Sequence, residues 1–462
     1  MARRVRLAPT AAELAAGFAA IRAELGLPAA FPPDAVPAAP RAAYADATGV
    51  AFVTIDPPGS RDLDQAFHAA RRGDGYRVTY AIADPGAFLT PGLDAESRRR
   101  GKTLYCPDAR VPLYPPALSE GAASLLAGEE RPAVVWTLDL DAAAEPVAVR
   151  VERARVRSRA QLDYPGVQRA LDTGTADEPL VLLRELGRLR QEREAERGAV
   201  SLRTPAQEVV RTPAGYGLAF VAPLPVEDWN AQVSLLTGMC AARVMLGGGV
   251  GLLRTLPPPD LGAVAALRRA ARVLEVDWPE GEAYAGFIRR LDPAAPPCAA
   301  LLALATTLLR GAGYTAFDGA PPEQPLHSAI AAPYAHATAP LRRLADRFVS
   351  ETCLALHAGR EVPGWCRDAL PGLPALMAAA DRRERELERA VLDYVEAAVL
   401  AGRVGETFDA VVTDADERGA MVQLAQPAVR ARLSGDAPLG ERIRVRLAEA
   451  DPARRRVRFA VA

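Results

Sequence analysis

The sequence predicts an α+β protein built from three parts. The chain has 462 residues, more than a single hydrophobic core usually holds, so two or three domains are expected. Runs rich in β-branched and aromatic residues dominate from Val50 to about residue 156, amphipathic helical segments follow, and short strands return after Gly405. These three observations predict a small helical N-terminal segment over residues 1–45, a large mixed domain over 46–402 and a C-terminal β-barrel over 403–462.

The N-terminal segment shows a helical pattern followed by irregular chain. Leu14, Phe18, Ile21 and Leu25 recur at helical spacing, which predicts a helix over residues 8–26. The next stretch, LPAAFPPDAVPAAPRA, is rich in proline and is typical of a linker. We therefore expect a small helical segment, because 45 residues are too few for a barrel of their own.

The large domain begins with strand signals and ends with helical ones. The run VAFVTID ends at Asp56, and AFHAARRGDGYRVTYAIAD predicts a hairpin with its turn at Gly73-Asp74-Gly75. Further strands are predicted over residues 134–141 and 147–156. Beyond residue 160 the apolar residues recur at helical spacing, which predicts helices over 180–197, 230–246, 262–274, 298–310 and 374–402.

The C-terminal part consists of short strand-like runs. Five of them follow Gly405, namely TFDAVVTDAD, GAMVQLAQ, VRARLSG, RIRVRLAEAD and RRVRFAVA. Five closely spaced short strands indicate a small OB-fold barrel. A generic β-barrel tail stays open as the alternative.

The charge of the chain is nearly balanced. It carries 56 lysine and arginine residues against 57 aspartate and glutamate residues, a net charge of -1 and a pI of about 6.5. A nucleic-acid partner would therefore have to bind a local basic surface. Lys102 is the only lysine, so an arginine indicates function only in a special local setting.

The remaining composition argues against metal-thiolate, disulfide and membrane classes. Five cysteines are widely scattered without a CxxC pair, which favours reduced thiols and a cytoplasmic protein. No apolar run approaches the length needed to span a bilayer, so a membrane partner is excluded. Four histidines leave little material for a histidine-based metal site.

Three aspartates frame one turn in the stretch TIDPPGSRDLDQAF. Asp56 ends a hydrophobic strand, and after a proline-glycine turn Asp62 and Asp64 stand at the start of the next strand, where residues two apart face the same side. Crowded carboxylates repel one another unless a cation neutralises them, and hard oxygen ligands suit Mg²⁺ or Mn²⁺. Solvated acids beside a turn remain the alternative. A calcium loop is excluded, because Ala66 stands at its fifth position and no glycine stands at its sixth.

These motifs, taken in order, resemble the catalytic domain of the ribonuclease II (RNB) family of exoribonucleases. The resemblance rests on TIDPPGSRDLDQA, YAIADPGAF, LYCPDARVPLYPPALSEG and YAHATAPLRRLADR, and covers roughly residues 46–400. It implies an RNB catalytic domain followed by an OB-fold RNA-binding domain. The implied activity is Mg²⁺-dependent hydrolysis of single-stranded RNA from the 3′ end to 5′-nucleoside monophosphates, by a protein we expect to be monomeric.

The resemblance also assigns the metal site and the chemistry. Asp56, Asp62 and Asp64 match three of the family's four metal-site aspartates, and Asp62, Asp64 and Arg342 would be catalytic, with Arg342 on the scissile phosphate. The fourth aspartate is replaced by Gln65, whose amide can still ligate or orient water but brings no charge. Guanidinium gives the bidentate phosphate contact that lysine cannot.

The RNA contacts follow from the same resemblance. Tyr105 would stack on the 3′-terminal nucleotide, and Arg342, Glu388 and His327 would contact the RNA. The nearest dense basic cluster, Arg98, Arg99, Arg100 and Lys102, would support that binding.

The sequence also departs from the family pattern at several positions. Leu202 lies near an expected aromatic clamp, and the helix with Ala231 and Gln232 lacks the family's paired glutamates. Residues 1–45 cannot hold the two cold-shock domains that family members commonly carry, which we expect to weaken or redirect RNA capture.

Two rival functions stay open. One is a catalytically silent RNB protein that binds RNA without cutting it, for which Gln65 is the main argument. The other is a metal-dependent DNA nuclease, whose site would have to ignore the 2′-hydroxyl.

Overall fold

The computed structural model describes the chain except residues 1–4, 8–11, 29, 39–43, 203–205, 213–214, 294, 417–418 and 425. Its α-helices are α1 Ala12–Glu24, α2 Pro91–Arg100, α3 Tyr164–Thr173, α4 Glu178–Glu196, α5 Pro225–Gly248, α6 Leu261–Val273, α7 Tyr284–Arg289, α8 Pro296–Ala305, α9 Leu344–His357, α10 Gly364–Arg367 and α11 Leu373–Leu400. None of the helices in these described ranges is long and apolar enough to cross a lipid bilayer.

The strands fall into one large sheet, one barrel and several short pairs. They are β1 Val5–Leu7, β2 Ala45–Asp46, β3 Phe52–Asp56, β4 Gln65–Arg72, β5 Gly75–Ala83, β6 Leu104–Tyr105, β7 Arg110–Val111, β8 Glu130–Leu140, β9 Pro146–Asp163, β10 Ala206–Thr212, β11 Gly215–Val221, β12 Val250–Thr255, β13 Gly313–Asp318, β14 Leu326–His327, β15 Ala332–Pro333, β16 Thr407–Asp416, β17 Gly419–Leu424, β18 Arg430–Ser434, β19 Arg442–Asp451 and β20 Arg456–Val461.

The large sheet has the strand order β2-β9-β3-β4-β5-β8 and curls back on itself. Strand β9 is 18 residues long, so it pairs antiparallel with β8 along its first part and parallel with β3 from Ser158 onward. The β4–β5 hairpin turns at Gly73, whose φ of 57° is accessible to glycine without strain. This confirms the predicted strands and places Asp56 at the end of a buried strand.

The main core lies between this sheet and helices α4, α5 and α9. Trp136, Tyr80 and Phe67 are among its largest fully buried side chains. Helices α4 and α5 approach closely at Gly187, where an added Cβ would lie 2.4 Å from the Trp229 Cβ. Both helices contribute side chains to the wall of one large cavity.

A second core joins the N-terminal helix to the C-terminal barrel. The barrel closes in the order β16-β17-β18-β20-β19, which confirms the predicted OB-like architecture. Its interior merges with apolar residues of α1, of α11 and of the short β6–β7 hairpin. Helix α1 therefore packs against the rest of the protein.

The structure adds strands that the sequence did not predict. Strand β1 lies in the predicted helical segment and pairs in parallel with β10. Inside the region predicted as helical, β10 and β11 form a hairpin, and β12 and β13 form an antiparallel pair whose strands are separated by helices α6 to α8. Each pairing joins segments whose apolar pattern is short, and β1 and β10 lie about 200 residues apart. A local sequence window carries no signal for such partners.

Candidate active site

A cavity of about 970 Å³ lies between the large sheet, helices α4 and α5, and helix α11. Among the described residues its walls carry more acidic than basic side chains. The acids are Asp56, Asp62, Asp64, Glu194, Glu227, Asp228, Glu384 and Glu388, and the bases are Arg110, Arg289, Arg342 and Arg343. The excess of carboxylates favours binding of a cation, and the arginines provide positive groups that can contact an anion.

The three aspartates reach this cavity from one connection of the sheet. Asp56 is the last residue of β3, while Asp62 and Asp64 lie just before β4 and not within it. Leu63, between them, is fully buried, and its N–H donates to Ser124 Oγ at 3.0 Å. This alternation turns both flanking carboxylates to the same side, as the sequence predicted.

Asp62 is held by the β6–β7 hairpin. Tyr105 Oη donates to Asp62 Oδ2 at 3.0 Å, and Arg110 Nη1 lies 2.6 Å from Asp62 Oδ1. Arg110 also lies 3.4 Å from Glu120 Oε1. Tyr105 nevertheless stays 47% exposed, so its ring remains accessible from the cavity.

Asp64 is held by the segment that carries Arg342. Its Oδ1 accepts the Leu341 N–H at 2.8 Å, and its Oδ2 lies 3.5 Å from Arg342 Nε. The neighbouring Arg343 is committed elsewhere, because its guanidinium forms two hydrogen bonds with Asp346, at 3.0 and 2.8 Å. Of the two arginines, Arg342 is therefore the one placed beside the aspartates.

Gln65 lies next to Asp64 and ties the same segment to β4. Its side-chain Nε2 donates a hydrogen bond to the backbone carbonyl of Thr338. An ionised aspartate at this position has no proton to donate. Gln65 therefore makes a hydrogen bond to the Thr338 carbonyl that an ionised aspartate, the residue of the family pattern, could not donate.

Burial sets the protonation of two of the carboxylates. It raises the pKa of Asp56 to about 7, with Arg342 opposing the effect and Asp62 adding to it. It raises the pKa of Asp64 to about 8, again opposed by Arg342 and by the Leu341 hydrogen bond. Perturbed carboxyl groups of this kind are typical of functional sites.

The carboxylates fit a hard divalent cation in chemistry, although they are not gathered around one point. Across the described ranges, no three His, Cys, Asp or Glu side chains lie close enough to hold a metal ion. Asp62 and Asp64 instead contact Arg110 and Arg342. Among the same residues, the buried Oδ2 of Asp56 has no hydrogen-bond partner. Buried, desolvated carboxylate oxygens are the ligands that Mg²⁺ and Mn²⁺ prefer.

Most of the residues predicted to contact RNA line the cavity. Tyr105 and Arg342 lie beside the aspartates, and Glu388 lies on α11. Leu202 and the α5 residues Ala231 and Gln232 also reach the wall, at the positions where the sequence departs from the family pattern. The cavity is therefore lined both by residues that match the family pattern and by residues that differ from it.

His327 is not among the residues that line the cavity. It lies on β14, with its ring centroid 6.1 Å from that of Tyr334, whose side chain does reach the wall. Burial and the nearby Arg254 lower the pKa of His327 to about 4. The structure therefore places His327 behind the wall, where it supports Tyr334 and makes no contact with the cavity.

The basic cluster at residues 98–102 is not a cavity surface either. Arg98 pairs with Asp94, and Arg99 and Arg100 pair with Glu96, at distances of 2.6 to 2.9 Å. Lys102 Nζ lies 2.5 Å from Asp381 Oδ1 and 2.7 Å from Glu384 Oε2. The cluster is neutralised within the fold because helix α2 and its neighbours supply matching carboxylates.

The sequence missed three arginines that reach the cavity: Arg343, which adjoins the predicted Arg342, and Arg110 and Arg289. Arg110 lies within the motif LYCPDARVPLYPPALSEG, and its position five residues after Tyr105 was the available signal. Arg289 ends the six-residue helix α7, where its Nη2 donates to the Ala199 carbonyl at 3.0 Å. No local pattern marks Arg289, because its place in the cavity depends on tertiary packing.

Family models match most of the chain. A model of the RNB domain matches residues 44–356, and a model of the RNase II-type exonuclease C-terminal S1 domain matches residues 406–462. The chain is 29% identical over 370 residues to the exosome complex exonuclease RRP44 homolog A of Arabidopsis thaliana, which covers 75% of this chain and 39% of that protein. It is 27% identical over 422 residues to ribonuclease R of Escherichia coli (strain K12), with coverages of 85% and 51%. The chain thus spans about half or less of the length of these relatives.

Solved structures show the same fold. RNase R of Mycoplasma genitalium, in complex with ribose-methylated single-stranded RNA, matches with a TM-score of 0.82 at 19% identity, over 91% of this chain and 72% of that one. Yeast Ssd1, a pseudonuclease, matches with a TM-score of 0.74 at 15% identity, over 94% and 57%. The same architecture is therefore shared by a ribonuclease and by a pseudonuclease.

Proposed function

Because the chain belongs to the RNB family of exoribonucleases, we propose that it hydrolyses single-stranded RNA from the 3′ end and releases 5′-nucleoside monophosphates. We propose Mg²⁺ as its cofactor, with Mn²⁺ able to replace it. The observation that carries this proposal is the cavity in which Asp56, Asp62 and Asp64 lie beside Arg342 and Tyr105. A surface that only tethered RNA would not need buried carboxylates there.

The aspartates and Arg342 would divide the chemistry between them. Asp56, Asp62 and Asp64 would hold the divalent cation, which supplies an activated water and neutralises phosphate charge when bound. Arg342 lies on the same wall and keeps N–H donors for the non-bridging oxygens of a phosphate. Arg343 and Gln65 hold the backbone of this segment in place, through Asp346 and the Thr338 carbonyl.

The RNA end would be bound by Tyr105, beside the aspartates, and by Glu388 of helix α11. The half-exposed ring of Tyr105 offers a face on which a base can stack, which is worth about 1–3 kcal/mol per base. Glu388 of α11 lines the same cavity and offers an acceptor for ribose hydroxyls. These contacts would favour RNA over DNA at the terminal nucleotide.

A catalytically silent RNA-binding protein is the second candidate. Two observations favour it: the fold matches the pseudonuclease Ssd1, and Gln65 bonds to Thr338 where the family has a fourth carboxylate. Three aspartates and Arg342 persist together in the cavity, which favours the active enzyme.

A time course with 5′-labelled RNA separates these functions. We expect a ladder that shortens from the 3′ end with Mg²⁺ or Mn²⁺ and stops in EDTA, with a matched DNA strand left intact. Asp64→Asn keeps the size of the side chain, so it should lower cleavage about 100-fold or more while RNA binding survives. Asp74→Asn, in the exposed β4–β5 turn, is the matched control.

Each contrary outcome of this time course has a definite meaning. Undiminished cleavage in EDTA, or early internal cuts, would contradict the proposal. Tight RNA binding without cleavage at any metal concentration would establish the silent protein.

A further inference from the structure

The N-terminal helix α1 shares its core with the hairpin that borders the active site. Leu14, Phe18 and Ile21 of α1 are each 2% exposed or less. They belong to the same apolar cluster as Leu104 and Val111, which flank the β6–β7 turn. The base of the hairpin is thus anchored in a core to which α1 contributes.

The tip of the hairpin is held by an ion pair from α1. Arg22, in the last turn of the helix, contacts Asp108 through two parallel hydrogen bonds, Nη1–Oδ1 at 2.5 Å and Nη2–Oδ2 at 2.9 Å. The two side chains are only 21% and 15% exposed. Such a bidentate, shielded pair defines geometry better than an ordinary surface pair.

The other side of the same hairpin faces the catalytic aspartates. The Cys106 N–H donates to the Ala109 carbonyl at 2.8 Å and closes the turn. On either side of that turn, Tyr105 and Arg110 reach Asp62 at 3.0 and 2.6 Å. The six residues 105–110 therefore contact α1 through Asp108 and the active site through Tyr105 and Arg110.

Helix α1 is also fixed to the opposite wall of the cavity. It packs on α11, where the Phe18 and Tyr394 rings meet edge to face with centroids 5.6 Å apart. A Cβ on Gly17 would lie 2.1 Å from Tyr394 Cζ, so glycine is needed for this approach. Helix α11 carries Glu388, so α1 touches both elements between which an RNA end would lie.

We propose that α1 is a positioning element of the active site: through the Arg22–Asp108 ion pair it holds the β6–β7 hairpin so that Tyr105 and Arg110 stay against Asp62. The inference rests on the proposed nuclease function for its effect on catalysis, but the hold on the hairpin does not depend on that function. Arg22 and Asp108 are positioning residues, because neither lines the cavity.

The test compares two ion pairs of the same helix. Arg22→Ala and Asp108→Ala remove the pair to the hairpin, while Arg455→Ala removes the pair from Glu24 to the barrel. Loss of the ion pair should loosen the hairpin that carries Tyr105, because residues in contact are energetically coupled. We therefore expect the first two variants to raise KM for a short single-stranded RNA about threefold to tenfold, with kcat changed less. The double variant should be no worse than either single one, and Arg22→Lys should recover only part of the loss.

Amide hydrogen exchange over residues 104–111 provides a readout that is independent of activity. It should become faster in Arg22→Ala and Asp108→Ala and stay unchanged in Arg455→Ala. Arg22→Lys keeps the charge, so it serves if the alanine variants unfold.

The outcomes separate the inference from the function. Normal exchange and normal KM in an active Arg22→Ala or Arg22→Lys enzyme would overturn the inference and leave the nuclease function standing. Independent effects of the two single variants on the hairpin would overturn it as well. If the wild-type protein cuts no RNA, the function fails, and the exchange rates still decide whether α1 holds the hairpin.

Discussion

Asp56 and Asp64 show how burial changes the chemistry of single residues. Both carboxyl groups ionise near pH 4 in an unfolded chain, whereas folding raises the pKa of Asp56 to about 7 and that of Asp64 to about 8. Between these limits the folded protein binds more protons than the unfolded chain. The stability of the metal-free protein associated with these groups is therefore fully present below about pH 4 and is lost as the pH rises through 7 and 8.

A pH series of unfolding experiments checks this sign. In EDTA, the wild-type free energy of unfolding should fall more steeply between pH 5 and pH 8 than that of Asp64→Asn, which has no proton to lose. Asp74→Asn, whose side chain lies in an exposed turn, should follow the wild type. Equal slopes for the wild type and Asp64→Asn would contradict the raised pKa of Asp64.

Gln65 allows the charge of the site to be separated from its hydrogen bonding. Gln65→Asp adds a negative charge beside Asp64 but loses the donor to the Thr338 carbonyl, and Gln65→Ala loses the same donor, together with the rest of the amide, without adding a charge. Both variants should lose about 1 kcal/mol of stability. Gln65→Asp alone should need less Mg²⁺ for half-maximal cleavage, because hard cations respond to carboxylate count.

A Mg²⁺ titration of both Gln65 variants on one RNA provides the measurement. Identical curves for Gln65→Asp and Gln65→Ala would show that position 65 does not influence the metal. Cleavage that appears only in Gln65→Asp would support the silent protein as the native state.

At the scale of elements, helix α2 shows that a basic run can be part of a folded network. Arg100 is 4% exposed, pairs with Glu96, donates to the carbonyls of Pro112 and Ala30, and lies 3.7 Å from the Phe31 ring centroid. A charge reversal at Arg100 would therefore test folding and not RNA binding. The sequence interpretation of this cluster as an RNA surface therefore loses the buried Arg100 and stays a prediction for the half-exposed Arg99.

Two neighbouring arginines of α2 make a matched pair for a stability measurement. Arg100→Ala leaves the buried Glu96 without its shielded partner, which should cost about 3–5 kcal/mol. Arg99→Ala removes a side chain that is 54% exposed and should cost about 1 kcal/mol or less. Urea unfolding of both variants decides the matter, and similar losses would mean that Arg100 is not specially buried.

At the scale of the whole molecule, the net charge is -1, and the arginines nearest the aspartates, Arg110 and Arg342, lie against Asp62 and Asp64 in an acid-rich cavity. Arginines are instead concentrated on the outer face of the barrel, where side chains alternate along β19 and β20. They include Arg442 and Arg446, together with Arg444, Arg456 and Arg458, which lie 3.6 to 3.9 Å from the carboxylates of Asp409 and Glu449. We expect upstream RNA to contact this face through its phosphates.

The salt dependence of RNA affinity tests that expectation. For single strands, each phosphate contact adds about 0.7 to the slope of log affinity against log salt, so Arg442→Ala with Arg446→Ala should reduce the slope by about 1.4. Arg367→Ala is the control, because Asp318 already balances that exposed arginine. An unchanged slope in the double variant would show that the barrel face does not bind RNA.

Local patterns in the sequence determined most of the elements of this protein and brought attention to several residues that line its cavity. Strand alternation, helical spacing and turn residues predicted the large sheet, the long helix α11 and the closed barrel, and the aspartate motif with Tyr105, Arg342 and Glu388 predicted residues that do line one cavity. These features were readable because each depends on residues close together in the chain, or on a motif that the family repeats.

Only the tertiary structure decided which charges remain available and what holds the site together. The partners of Lys102 and Gln65 lie on other segments, as do the Pro112 and Ala30 carbonyls that accept hydrogen bonds from Arg100, so these contacts could not be predicted from a local stretch of sequence. The same holds for His327 behind the cavity wall and for the Arg22–Asp108 pair, whose members are 86 residues apart. Burial and ion pairing are properties of packing, and packing joins residues irrespective of their separation in the sequence.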